Sequence, residues 1–380
     1  MLAKCQQGKY TTFAECAGRI ASVQISFVLP FLNWTGGVRV VFEYAHGLHR
    51  RGHHVTIYFP LLPYAFADRP YTFSGFRRWL GDLALNLRRR THQKWFPLDV
   101  PLVMVPRVAS PFIGRADAII ATAWPTAYSV SRLPPLAGTK FHLVQHHETW
   151  SGPPDAVNGS YRLSMHKIVI ASWLSNLIEQ ASGQTALAVI NNGVDLSTFY
   201  PDTEVTRQSR QILMQYSHLP WKGVADGLRA WDTVRARCPD SRLVMFGLER
   251  GRDVPSDIEF HVDPDQHTLR GLYSSSGIFL STSWTEGCQL PPMEAMACGC
   301  AVVATNVGGV PDYTVPGKTA LVVEPHDVEG MAKAIIWLLQ NEEERRRLAE
   351  NGHEQIKQFG WDQAITRFES ALLRGIGLHD

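Results

Sequence analysis

The chain has 380 residues, enough for two domains of ordinary size that each bury their own core. With 45% apolar and 19% charged residues it is not a disordered chain, and a net charge of +2 gives no global reason to expect nucleic acid. No apolar run is long enough to span a bilayer, residues 1–8 lack the apolar core of a secretory signal, and the six scattered cysteines make no disulfide framework.

The compartment expected from these features is the reducing cytoplasm. From about Val23 onward apolar strands alternate with amphipathic segments, the pattern of an α/β protein with parallel sheets covered by helices on both faces. The first strand spans 24–29 and is followed by a loop over 33–37. There Gly36 and Gly37 precede a helix start and can bring backbone amides close to an anion. Val38, Val41, Ala45 and Leu48 recur at helical spacing, and Gly52 stops that helix before a strand at 54–59. The Gly-x-Gly-x-x-Gly spacing is missing and the second strand ends without an acid for an adenosine ribose, which argues against a dinucleotide site.

The stretch 73–96 mixes Phe, Trp and Leu with Arg77, Arg78, Arg88, Arg89, Arg90 and Lys94. Such a helix either lies on an anionic membrane surface or packs on the first domain with a solvated basic edge. Further strands are expected at 118–121, 141–145 and 167–170. His146, His147 and Glu148 close the second of these, and strand alternation would put His146 and Glu148 on one face. Two ligands without a third make no metal site. Ser172 is positioned to cap a helix over 173–181. Residues 189–195, with the turn Asn192-Gly193, read as a linker. A second alternating set follows: a strand at 212–216, a helix to about Ala236, strands at 243–247, 277–281, 301–305 and 320–323, and a last helix from Trp361 to about Arg374.

Glu286 and Glu294 bracket the turn after the 277–281 strand. Pro291 and Pro292 stand where the next helix begins, a position proline tolerates, so one carboxylate closes a strand and the other falls in the first turn of a helix. Unpaired amides at a positive helix end hold a phosphate without any cation. Two flanking carboxylates can accept hydrogen bonds from sugar hydroxyls, which is the chemistry of a nucleotide-sugar site. Cys298 and Cys300, one residue apart, read as small buried residues at the end of that helix.

The stretch from Glu286 to Glu294 resembles the E-x7-E signature of glycosyltransferase family 4, retaining enzymes of the GT-B fold. That resemblance implies two Rossmann-like domains facing across a cleft, over 1–188 and 189–360, with a C-terminal helix over 361–380 crossing back to the first. It also implies roles. Glu286 would face the sugar, Glu294 the ribose, and the backbone of Gly287, Cys288, Gln289 and Leu290 the diphosphate. Lys222 matches the family's phosphate-binding lysine, and His218 stands where arginine is usual. His146 matches a histidine that contacts the donor sugar, and Gly36 and Gly37 line the cleft. The family usually reads Glu-Gly-Phe-Gly where this chain has Glu286-Gly287-Cys288-Gln289, so a side chain enters where glycine lets a ligand come close. Gly308-Gly309-Val310-Pro311 is expected at the sugar end, with Tyr273 and Val262 near the base.

The function so implied is transfer of a hexose from a nucleotide-diphosphate sugar to a hydroxyl of a glycan or lipid-linked glycan, with retention and without metal or other cofactor. No nucleic-acid partner is expected, and the location is cytoplasmic, peripheral on the inner membrane face if 73–96 lies there. Glu148 could act as a general base from across the cleft, which would favour inversion. Two rivals remain: a GT-B relative working as a nucleotide-sugar epimerase or phosphorylase, and a catalytically weak nucleotide-sugar-binding subunit of a polysaccharide assembly complex.

Overall fold

The structure is a computed structural model, and it describes residues 22–33, 35–64, 80–81, 84, 96 and 98–378. The basic aromatic stretch 73–96 lies almost wholly outside those residues, as does the N-terminal segment 1–21. Among the described residues no helix is long and apolar enough to cross a membrane.

The first domain carries β1 (Gln24–Val28), α1 (Gly36–Arg50), β2 (His54–Pro60), β3 (Leu102–Val105), β4 (Ala118–Ala121), α2 (Trp124–Ser131), β5 (Thr139–Val144), α3 (Pro154–Tyr161), β6 (His166–Val169), α4 (Ser172–Ser182) and β7 (Ala188–Val189). Its strands form one seven-stranded parallel sheet in the order β3-β2-β1-β4-β5-β6-β7. Helices cover both faces, so the central strands are largely buried: all of β4 is buried, as are Phe27 and Val28 of β1. Gly52, at φ 94°, ends the turn after α1 in a conformation that favours glycine.

The second domain carries β8 (Gln208–Gln215), α5 (Val224–Arg237), β9 (Arg242–Gly247), β10 (Glu259–Val262), α6 (Gln266–Ser275), β11 (Ser276–Ser281), α7 (Leu290–Ala297), β12 (Ala301–Thr305), α8 (Val310–Tyr313), β13 (Leu321–Val323), α9 (Val328–Gln340) and α10 (Glu342–Ile356). Its six strands are also parallel, in the order β10-β9-β8-β11-β12-β13. In each sheet the strand order reverses once, between β1 and β4 and between β8 and β11. Loops leaving the carboxyl ends of strands diverge at such a point and leave a crevice.

The last helix, α11 (Trp361–Gly375), returns to the first domain. Phe368 stacks on Tyr44 of α1 with ring centroids 4.2 Å apart, and its full burial is worth about 1.5–3 kcal/mol. Arg51 holds Asp362 and Glu369 at 2.7 Å each, and the buried His53 ring meets Glu369 at 2.8 Å. Val194 bridges Gly360, so the two chain crossings between domains run side by side.

Several elements escape the sequence reading, among them β3, α2, α3, β10, α6, α9 and α10. Strand β3 is a four-residue edge piece, and α2 and α3 are short helices with Pro125 and Pro154 in their first turns and little apolar periodicity. Ser172 is not the cap of α4. Ala171 occupies that position, and the Ser172 amide donates instead to Asp312 Oδ2 of the second domain at 2.8 Å. Val189 still belongs to the first sheet.

Candidate functional site

The reversal between β8 and β11 juxtaposes the loops that carry Lys222 and Glu286. Lys222 Nζ donates to Glu286 Oε1 at 2.6 Å, and Ser283 Oγ donates to the same oxygen at 2.8 Å. The two loops are stitched together by backbone. The Trp284 amide donates to the Trp221 carbonyl at 2.7 Å, and Thr282 Oγ1 donates to the Lys222 carbonyl at 2.7 Å. Gly223, at φ 65°, follows Lys222 where any Cβ would collide with the Thr282 carbonyl. Glycine is therefore required beside the lysine by conformation and by close approach.

Helix α7 starts at Leu290, so Glu294 lies in its second turn, not the first. It is buried, accepts from the Tyr273 hydroxyl at 3.1 Å, and has Arg39 Nη1 of α1 at 3.9 Å from across the cleft. Burial pushes its carboxyl above the usual range, against the pull of Arg39. Glu43 shares that guanidinium at 3.5 Å and is itself pushed up to about 7 by burial. Among the described residues the amides of Gly287, Cys288, Gln289 and Leu290 donate no hydrogen bond within the protein. Since Pro291 and Pro292 bring no N–H, these amides are the main donors that the turn and the helix end can offer a ligand.

The Gln289 side chain folds back onto the end of β11, accepting from Ser281 Oγ at 2.6 Å and leaving its Nε2 buried without a partner. The Cys288 thiol is pushed up to about 12 by burial and remains a neutral packing group between the domains. Gly287 is clamped. A Cβ there would collide with the Gln145 carbonyl, and Trp173 Nε1 donates to the Gly287 carbonyl at 3.1 Å. Gly308, at φ 57°, sits against the Glu286 and Gly287 carbonyls. Cys298 and Cys300 are buried at the end of α7, as read from the sequence.

On the first-domain side, Gly36 and Gly37 open α1, where Thr35 supplies no side-chain cap. Among the described residues a Cβ at Gly36 would meet nothing, and one at Gly37 would touch only the Gln145 side chain at 3.6 Å. Neither packing nor backbone conformation demands glycine at this helix end, and the bare end leaves room for a ligand.

His146 lies in the loop after β5, edge-on to Trp150 and Trp173 at 6.5 and 6.1 Å. Its Nδ1 is buried without a partner, and burial holds the imidazole below its usual value, against the opposing influence of the His147 backbone and of Glu286. The structure thus gathers His146, Glu286, Lys222, Glu294 and the clamped turn. His218 stays outside, exposed beside Glu249 at 3.6 Å. Of the two residues expected near the base, Tyr273 holds Glu294 but Val262 is exposed.

The predicted common face of His146 and Glu148 does not form, because β5 ends at Val144. Glu148 Oε2 instead accepts from the Trp124 amide at 2.9 Å, the first helical residue of α2. Burial pushes this carboxyl up to about 7. Its folded pKa lies above the unfolded one near 4.5, so its contribution to stability is present below that value and is lost as pH rises to about 7. Glu148→Gln keeps the acceptor and removes the titration. The variant should lie close to its parent at pH 5 and gain about 2–3 kcal/mol on it by pH 8, melting about 4–10 °C higher there, with turnover unchanged. Equal melting shifts at both pH values would refute the burial argument, and a collapse of kcat would assign Glu148 the general-base role.

Among the described residues no three His, Cys, Asp or Glu side chains are grouped to hold a metal ion. Sequence reasoning missed Arg39, Ser283, Trp173 and Gln145. Arg39 alone left a trace, a cation placed four residues before Glu43 on α1.

Residues 200–355 match the family described as glycosyl transferases group 1. That match covers most of the second domain and less than half of the chain. An O-antigen chain mannosyltransferase B of Escherichia coli is 31% identical over 160 residues, 42% of this chain and 39% of that protein. The MMP alpha-(1->4)-mannosyltransferase of Mycolicibacterium hassiacum is 30% identical over 213 residues, 52% of each chain. The chain thus spans about half or less of the length of these curated relatives. The structure of Anabaena HepE in complex with UDP and glucose matches with a TM-score of 0.70 at 16% identity, over 93% of this chain and 100% of that one. That likeness is one of fold: both domains together have the GT-B architecture expected from the E-x7-E resemblance.

Proposed function

We propose that this chain is a glycosyltransferase that moves a sugar from a nucleotide-diphosphate donor to a hydroxyl acceptor, with retention and without a metal ion. The observation that carries the reading is the Lys222–Glu286 pair at 2.6 Å beside the unpaired amides of Gly287 to Leu290. A donor diphosphate draws Lys222 to itself and frees the Glu286 carboxylate for sugar hydroxyls. Lys222, the amides and the helix end then stabilise the charge that develops on the leaving group. The leaving oxygen takes the acceptor proton on the same face, while the neutral His146 and Glu286 orient the sugar and Glu294 the ribose. The bound UDP and glucose of the Anabaena structure and the mannosyltransferase names of the relatives support this reading.

The test is a melting screen of the chain against UDP-, GDP-, ADP- and dTDP-sugars in the presence of a chelator. At a donor concentration of about 100 Kd the folded state gains about 2.7 kcal/mol, and a shift with one nucleotide class names the base. Glu294→Gln should weaken that donor by about 10–100-fold, because a charge-assisted acceptor is lost. Unchanged affinity in the variant would remove Glu294 from the ribose site. No shift with any donor in the wild type would overturn the transferase reading.

A further inference from the structure

We propose that Trp150 is the platform on which a pyranose ring of the acceptor lies, so that the acceptor is itself a glycoside and not a simple alcohol; this rests on the transferase reading above. Trp150 belongs to the loop after β5, and the residue is 43% exposed. One face stacks on Trp221 with centroids 6.1 Å apart and planes 25° from parallel. Trp221 immediately precedes Lys222, and its carbonyl is tied to Trp284 in the loop that carries Glu286. The His146 ring stands perpendicular to the indole with centroids 6.5 Å apart, and it lies within the electrostatic reach of Glu286 and Lys222. The exposed ring is therefore fixed at the rim of the pair that would hold the transferred sugar.

Among the described residues the other exposed aromatic rings lack this setting. Tyr200, for example, is covered by the Arg270 guanidinium at 4.5 Å. A π-face is weakly negative and apolar. It repels a phosphate or carboxylate and attracts the patch of C–H bonds on one face of a pyranose, whose hydroxyls then radiate from the rim toward His146 and Glu286. A polyol such as glycerol has no such rigid face and gains little from stacking. The two stacked rings come from different domains, so the platform is complete only when the cleft is closed. Acceptor binding is thereby linked to closure over the donor.

The test titrates the full chain, saturated with the nucleotide found in the melting screen, with the methyl pyranosides of glucose, mannose, galactose and N-acetylglucosamine, and with glycerol. Binding is read by tryptophan fluorescence and by saturation transfer to the ligand. At least one pyranoside should bind saturably and glycerol should not. Trp150→Ala should weaken that pyranoside by about tenfold and Trp150→Phe by about threefold or less, with nucleotide affinity unchanged in both. Absence of binding by all four pyranosides, or full affinity in Trp150→Ala, would overturn the platform. If the wild type binds no nucleotide, the titration is run without one. A pyranoside held through Trp150 would then keep the platform while the transferase reading fails.

Discussion

Gly287→Ala is expected to lower kcat/KM by about 10²-fold or more while both domains remain folded. The added methyl would collide with the Gln145 carbonyl, and 3.3 Å away on the other side lies Ile170. A flexible side chain could give way, but a backbone carbonyl cannot move without carrying the loop that holds His146. The halves must then part, or the Glu286 turn must shift within its own domain. Either displacement breaks the Trp173 hydrogen bond to Gly287 and moves Glu286 relative to His146. Steady-state kinetics alongside a melting curve and solution scattering would read this: activity lost, fold retained, radius of gyration equal or larger. A variant with wild-type kcat/KM would show that turnover does not use the closed contact between Gly287 and Gln145.

Lys222→Met is expected to lower kcat by about 10²–10³-fold, the loss typical of removing one preorganised donor to a developing negative charge. The substitution keeps the length of the side chain and its packing and removes only the ammonium. In the free protein that ammonium neutralises Glu286, so the variant also leaves the carboxylate with Ser283 as its remaining partner. Comparison with Glu286→Gln and the double variant separates the two roles. If Lys222 serves the leaving group, its removal lowers kcat even where Glu286 is already neutral. If it serves only to hold Glu286, the double variant loses no more than Glu286→Gln alone. An unchanged kcat in Lys222→Met would remove the lysine from chemistry altogether.

Much of the site was legible because it is local. The buried run before Glu286, the Pro291-Pro292 helix start and the spacing of the two acids are all set within one strand-turn-helix unit. Side-chain period and proline geometry report directly on such a unit. The same holds for Gly36 and Gly37 at the start of α1. Errors arose where local rules were extended past an element's end. Alternation was carried to Glu148 although β5 stops at Val144, and Glu294 was assigned one turn too early because the helix begins at Leu290.

By itself, then, the sequence determined two α/β halves, a returning helix, the phosphate-type turn and the identity of most groups around it. The tertiary structure alone decided which of these groups meet. The place of β8 beside β11 sets Lys222 against Glu286 and carries His218 away toward Glu249, while the packing of the first domain on the second brings Arg39, Gln145 and Trp173 across. The physical reason is that periodicity encodes which face of an element is buried, whereas strand order and cleft closure depend on the packing of whole layers. Residues tens or hundreds of positions apart acquire their partners only when those layers assemble.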